Sequence, residues 1–573
     1  MRTERFARIL PGAVALCWLL TSAGCNGLFS DGTPPVVKAP GDWGMSLTAG
    51  ATVGIGQFPA KFTFDVNAAP DCVNDYVAFN TGHLGASGTA PNISAFNKLY
   101  STQGSVGGQC AQNGPSVYWS YFTGATTGAG TAVTSIVLSL DGKKVAFVEN
   151  VGTQAWLRIL KWKAGENSGV APTTTLAAAT TWNAAGCGAA GTTSCLRSIA
   201  FNNVTTDTRS APFFDYANDA LYVGDNSGVM HKFASVFADT GAPAEVIVSW
   251  PITVTSGAML TSPVYDSVSK NIFVGDSTGH LRFIKEAGSA IGSCAAGSTP
   301  CLGSVNLAVG TGGDIVDGPI VDGSTGMVFA VNGTETANNG TIVQANTALV
   351  SKFVGNIGTT ATGTSLIASY SGDFDNAYIT SASGNTLGHM YVCGKDPNAI
   401  NNIPAIYQLS FTAGTGIVSS VGTPRAGLVT DGALDVACSP ITEFNNPNGG
   451  GVGVARDWIF FSIGNGSAAV SPIPTGSNCR TALTGCVISA DVTGNPTWNA
   501  TNPANFANAA AVPANKDGST SGFVVDNTST LVQASSFYFS LGVNSTGTGP
   551  GIPSCNTTAG VGCAVKLTQS GLN

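Results

Sequence analysis

The sequence predicts an all-β fold built from one repeated unit of short strands, and three observations predict it. The first is composition: the chain of 573 residues carries 74 Gly and is 43% hydrophobic but only 10% Asp, Glu, Lys or Arg, against about 25% in ordinary soluble proteins. That balance suits short strands and tight turns, and it is too apolar for a disordered chain. The second is a three-strand unit that recurs from about residue 60 to the end. The third is that no amphipathic helical run of 12 or more residues follows the N-terminal segment.

The repeat is clearest where APFFDYANDALYVGDNSGVMHKF (211–233) is set beside SPVYDSVSKNIFVGDSTGHLRFI (262–284). Each copy reads small-Pro, an apolar strand ending in Asp, a polar turn, a strand ending Val-Gly-Asp, a turn ending in Gly, and a third strand. Alternation with period two gives the strands an apolar face, and Asp-Asn-Ser-Gly or Asp-Ser-Thr-Gly supplies hairpin chemistry. Taken in chain order, the units begin near residues 62, 135, 211, 262, 318, 376, 439 and 522. The first comprises FTFDV (62–66), YVAFN and ISAFNKLY (93–100), and the second SIVLSLDGKKVAFV (135–148) and WLRILKW (156–162). GPIVDGSTGMVFAVNG (318–333) gives the fifth; NAYITSA (376–382), HMYVCG (389–394) and IYQLSFT (406–412) give the sixth. SPITEF (439–444) with WIFFSIGNG (458–466) forms the seventh, and GFVVDN (522–527), SFYFSLG (536–542) and CAVKLTQ (563–569) form the eighth.

Starts at 211, 262 and 318 are 51 and 56 residues apart. Four strands with their loops need about 40–50 residues, the period of a propeller blade; β-helix coils are shorter, and sandwich domains run near 100. The expectation is a β-propeller of four-stranded antiparallel blades. Eight blades are favoured, because the last unit ends after three strands and MSLTAGATVGI (45–55) is available as its outer strand. Seven remain if FTFDV closes the ring instead.

Residues 1–25 read as an export signal. Arg2, Arg5 and Arg8 precede an apolar run from Ile9 to Leu20, too short for a permanent membrane span. The ending Ala23-Gly24-Cys25 resembles a bacterial lipobox, which implies lipidation of Cys25; ordinary cleavage after Ala23 is the alternative. Residues 26–44 look like a tether, and 45–573 like one propeller domain.

Fourteen Cys are present. Setting aside Cys17 in the signal and Cys25 leaves an even number in an exported chain. Four close pairs are expected as disulfides closing loops: Cys187/Cys195, Cys294/Cys301, Cys479/Cys486 and Cys555/Cys563. Cys72/Cys110 and Cys393/Cys438 would complete the set. Zinc would need CxxC spacing or interleaved His, and neither occurs.

The unit small-Pro-x-x-Asp … Val-Gly-Asp-x-x-Gly, best in the third and fourth copies, resembles the repeat of quinoprotein-dehydrogenase-like (PQQ-repeat) propellers. The resemblance implies fold; activity must come from a site. Enzymes of that family place a vicinal Cys-Cys pair and a Trp floor beside the quinone, with Asp, Glu and Asn around calcium. This chain has no adjacent cysteines, and its nine Trp do not recur blade by blade. No cofactor is therefore expected.

Four His are present: His83, His231, His280 and His389. His231 and His280 read as equivalent places inside the third strands of neighbouring units, a duplicated strand position rather than a ligand pair. Asp373 and Asp375 in GDFDN could sit in a calcium loop, although a polar turn explains them; Asp215, Asp266, Asp322, Asp225 and Asp276 read as turn caps. No catalytic or metal residue is assigned. The expected function is an exported, surface- or envelope-associated, non-catalytic propeller acting as a binding or scaffold module. The alternative is an extracellular enzyme, a quinone-dependent oxidoreductase or a metal-assisted hydrolase or lyase. The expected partner is a protein or carbohydrate ligand at a propeller face, with membrane contact only through a lipid anchor, and the protein is expected to be a monomer. The net charge of −8 argues against nucleic acid.

Overall fold

The computed structural model is an eight-bladed β-propeller: eight small, almost wholly antiparallel sheets in a ring. It describes residues 42–568 apart from 52–53, 55, 102, 104–108, 111–113, 168, 171, 176–186, 188–192, 203–205, 240, 286–300, 307–313, 334–338, 360–368, 382–387, 398–402, 425–427, 429–437, 448–452, 464–483, 495–505, 514–519, 528–534 and 542–560. Of residues 49, 301–306, 339, 359, 484–485, 506–513 and 561 it describes the backbone alone.

Blade 1 lays Ala60–Phe62, Tyr76–Asn80, Ile93–Asn97 and Ser116–Tyr121 side by side. Blades 2 to 7 repeat that order, opening at Val137, Phe213, Val264, Ile320, Asp373 and Thr442. Departures are small. Blade 2 adds Thr174–Thr175 parallel to its outer strand, and blade 3 splits its outer strand into Ala244–Glu245 and Ile252–Thr253. First strands of blades 1 and 2, 3 and 4, 4 and 5, and 6 and 7 lie against one another, and Ala60–Phe62 meets Val524–Asp526, which closes the circle. In each blade the first strand turns into the second at one end, here the lower end, and the second into the third at the upper end.

Blade 8 is completed from the other end of the chain. Val524–Asp526, Ser536–Leu541 and Val561–Thr568 are followed in space by Trp43–Ala49, with Trp43 opposite Lys566 and Ala49 opposite Val561. This strand begins at Trp43, ahead of the expected MSLTAGATVGI. FTFDV is not the closing strand: Ala60–Phe62 is the innermost strand of blade 1, and Phe64 turns away to donate its N–H to Asp75 Oδ1 (3.1 Å). The seven-blade alternative is therefore ruled out.

Packing explains why the strands are so apolar. Eight clusters of buried side chains sit one at each blade interface. Alternate residues of one strand enter different clusters: Val145 and Phe147 face blade 1, whereas Ala146 and Val148 face blade 3. A single apolar face was expected, yet second strands such as Ala220–Gly224 and Asn271–Gly275 are buried at every residue, because each blade is pressed between two others.

A hydroxyl ahead of the first strand recurs. Ser210, Thr261, Ser439 and Ser521 each accept, at 2.9–3.0 Å, the N–H of Gly224, Gly275, Ser462 and Ser540 respectively. This register exposes a slip in the seventh copy. Thr442 stands opposite Phe460 as Val264 stands opposite Phe273, so Glu443 occupies the place of Tyr265 rather than that of Asp266. A one-residue shift turns a strand's side chains to the other face.

NAYITSA was expected as a strand. The strand is Asp373–Phe374, and Asn376–Ile379 form one helical turn. Asp375 is the cause: its Oδ1 accepts from Tyr378 N (2.9 Å), an N-cap that ends the extended chain.

Candidate functional site

The repeated acids cap turns. Asp215, Asp266 and Asp322 accept N–H groups from the residues two further on, Ala217, Val268 and Ser324, at 2.9–3.1 Å. At the upper end Asp225 Oδ1 accepts from Ser227 N and Val229 N (2.9 and 2.8 Å), and Asp276 Oδ1 from Thr278 N and His280 N (2.9 and 3.0 Å). Gly228 follows with φ +92°, and a Cβ there would fall 1.6 Å from Thr255 O, so only Gly fits.

The upper-end acids Asp225 and Asp276 also take a partner from the third strand. His231 lies between Asp225 and Glu245, with Nε2 3.3 Å from Asp225 Oδ2 and Nδ1 2.7 Å from Glu245 Oε1. Arg282 takes that place in blade 4, its Nε on Asp276 Oδ2, and in blade 2 the buried Arg158 Nε meets Glu149 Oε2 at 2.8 Å. His231 is thus equivalent to Arg282, and the expected match to His280 fails by two residues. His280 is partly exposed and bonds Thr278 Oγ1 (3.0 Å). Burial works against a charged His231, but the hydrogen bonds to Asp225 and Glu245 outweigh it and raise its pKa above the ordinary value. His389 Nδ1 bonds Asp375 Oδ2 (3.1 Å), and His83 Nδ1 accepts from Gly85 N (2.9 Å).

A strongly perturbed carboxyl lies at the lower end between blades 6 and 7. Asp373 Oδ2 accepts from Glu443 N (2.8 Å), joining the two first strands, and Asp457 Oδ2 accepts from Asn376 N (2.7 Å). Glu443 reaches this interface because of its register. Glu443 Oε1 and Asp457 Oδ1 are both buried without a donor, and the two carboxyls are within hydrogen-bonding reach of each other. Burial first, and then the neighbouring Asp457 carboxyl, push Glu443 up to about 10. One proton held on Glu443 and shared with Asp457 supplies the missing donor. Burial also raises Asp457 and Asp373. Strongly perturbed carboxyls are a common mark of a functional site, although an inter-blade clasp perturbs them in the same way. Asp375 is spent on the helix cap and His389. No group of three or more His, Cys, Asp or Glu among the described residues is spaced to hold a metal ion.

The structure joins Cys187 to Cys195, Cys72 to Cys110 and Cys393 to Cys438, the last tying blade 6 to the entry of blade 7. Cys486 and Cys563 are also disulfide-bonded. Cys25, Cys294, Cys479 and Cys555 lie outside the described residues, as does the side chain of Cys301.

No family model matches the chain, and no curated protein matches it. Among solved structures it is similar to BamB from Moraxella catarrhalis at 11% identity, over 90% of this chain and 97% of that one, with a TM-score of 0.34. Sqt1 from Chaetomium thermophilum is 10% identical over 86% and 91% of the two chains, with a TM-score of 0.46. The periplasmic gluconolactonase PpgL of Pseudomonas aeruginosa is 11% identical over 61% and 81%, with a TM-score of 0.35.

Proposed function

We propose that the protein is exported to the cell envelope and acts there as a non-catalytic binding scaffold on a PQQ-like propeller. The observation that carries this reading is where the polar side chains go. His231, His389, Arg158 and Arg282, the groups the repeat offers for chemistry, are each committed to a partner inside a blade. The turns at the two ends of the ring are left as the ligand-facing surface. Export rests on residues 1–25 and on the disulfides, which belong to oxidising compartments; lipidation of Cys25 would hold the chain at the membrane. The partner is a protein or carbohydrate ligand bound at one face by a monomer, without a cofactor.

The test is chemical cross-linking in the native cell, with metal analysis and an absorption spectrum of the purified protein. Partner peptides joined to turn residues, with no stoichiometric metal and no quinone band, support the scaffold. A stoichiometric metal or a quinone band supports the enzyme reading, which the protonated Glu443 favours because a carboxyl kept neutral at pH 7 can act as a general acid. In that case Glu443→Gln should abolish turnover while leaving the fold intact.

A further inference from the structure

We propose that the lower end of the propeller lies against a lipid bilayer with anionic headgroups; the inference rests on the export-and-anchor reading above. The lower turns carry exposed apolar tips: Val66 and Val73 on blade 1, Leu140 on blade 2, Tyr216 on blade 3, Val268 on blade 4 and Ile379 on blade 6. Leu140 and Val268 are 77% and 73% exposed, so these are not edges of the core. At the upper end the described residues offer only Leu84 and Val170 of this kind. The lower turns are also contiguous. Tyr216 OH donates to Leu138 O of the neighbouring blade (2.8 Å), and a Cβ at Gly323 of blade 5 would stand 3.6 Å from Val268 Cγ2. Apolar surface of this kind on a soluble protein marks an interaction face.

Two further observations choose the bilayer as occupant. Exposed Lys143 and Lys270 flank Leu140 and Val268 in the same turns, which suits an apolar tip dipping between anionic headgroups. Asp141, between them in the first turn, is tied back to Ser139 Oγ at 2.5 Å. The chain also enters the ring at this end: Trp43 stands opposite Lys566, and Asp42 Oδ1 accepts from Thr568 N at the lower tip of blade 8. The lipid-bearing Cys25 of the anchor reading therefore precedes a strand that starts on the apolar side. Seventeen residues separate Cys25 from Trp43 (26 to 42). At about 3.3–3.6 Å each they span up to roughly 60 Å, enough for an anchor to sit anywhere beneath this face.

The test uses the full chain reconstituted on vesicles of phosphatidylethanolamine and phosphatidylglycerol, read by hydrogen exchange. The expected result is several-fold slower exchange in 139–143, 216–219 and 267–270 on vesicles than in solution, with no change in 225–228 and 276–279. The variant Leu140→Ser/Val268→Ser/Ile379→Ser should stay anchored and lose that protection. Anchored protein whose lower turns exchange as fast as in solution, or whose upper turns are protected instead, overturns the proposed face while leaving the anchor standing. Failure of the wild type to bind vesicles, or a Cys25→Ser chain that binds as well as the wild type, overturns the lipid-anchor reading and this inference with it.

Discussion

The Nζ of Lys61 lies 3.0 Å from Oδ1 of Asp526, and the pair joins the first strand of blade 1 to the first strand of blade 8. Both side chains are buried, and Asp526 Oδ2 also accepts from the hydroxyls of Tyr100 (3.1 Å) and Tyr538 (3.3 Å). The ring thus closes on a desolvated ion pair. Lys61→Met leaves Asp526 to the two tyrosines and to the buried Lys566 nearby, so it should destabilise in urea unfolding by less than the about 3–5 kcal/mol of a fully unpaired buried charge. Adding Asp526→Asn also takes the carboxylate away from the buried Lys566, so the double variant should be no more stable than Lys61→Met alone.

Closure by the N-terminal strand makes a second prediction. Trp43 is fully buried, its Nε1 donates to Leu99 O (3.1 Å), and its ring packs on Phe96 and Tyr538. Without this strand, Val561–Thr568 becomes an open edge that invites association. Deleting 26–40 should leave thermal unfolding unchanged, whereas deleting 42–51 should abolish cooperative unfolding or cause aggregation. Trp43→Ala should cost about 3–5 kcal/mol, read from the same melts.

His231 gives a pH signature whose sign is fixed by its environment. Its folded pKa is raised above 6.5, so its contribution is complete below about pH 6.5 and is lost as pH rises through the folded value. His231→Arg copies what blade 4 does with Arg282 and should remove that loss. A pH series of urea midpoints checks it: the variant should overtake the wild type on the alkaline side.

Much of this architecture can be read from the sequence, because strand alternation and Asp-x-x-Gly turns are local signals. Strand ends are less legible: the first strand of blade 1 is Ala60–Phe62 rather than FTFDV, and NAYITSA holds a helical turn. What misleads is register. His231 and His280 look equivalent by eye, yet counting from Gly228 and Gly279 puts His231 level with Arg282. SPITEF looks like SPVYD, yet Ser439 rather than Cys438 takes the place of Thr261, which turns Glu443 towards blade 6. The Lys61–Asp526 bridge carries no motif, since only ring closure brings such distant residues together; Glu443 and Asp457 share one hairpin of blade 7, and the one-residue slip is what hides their meeting.

The disulfides make a fourth prediction. Cys393–Cys438 closes a separation of 45 residues across two blades, so the loop-entropy model assigns it roughly 4 kcal/mol. Cys393→Ser/Cys438→Ser should lower the urea midpoint accordingly. Non-reducing peptide mapping should also find Cys294–Cys301, Cys479–Cys486 and Cys555–Cys563 joined. Free thiols at those positions in exported protein would count against the compartment as well as the pairing.

The carboxyl pair between blades 6 and 7 should make the protein less stable as pH rises. Glu443 has an ordinary value of 4.5 and is held at about 10 in the folded chain. Between those values the folded state keeps a proton that the unfolded state releases, so unfolding becomes progressively easier with pH. Glu443→Gln keeps a donor for Asp457 and removes the proton linkage. The variant should be more stable than the wild type at pH 7, by about 1–2 kcal/mol in line with neutral replacements of buried charged pairs, and equal to it near pH 4. Asp457→Asn should act in the same direction, because either amide satisfies the partner oxygen. Urea midpoints from pH 4 to 9 decide the matter: parallel curves for wild type and Glu443→Gln would show that no proton is held there.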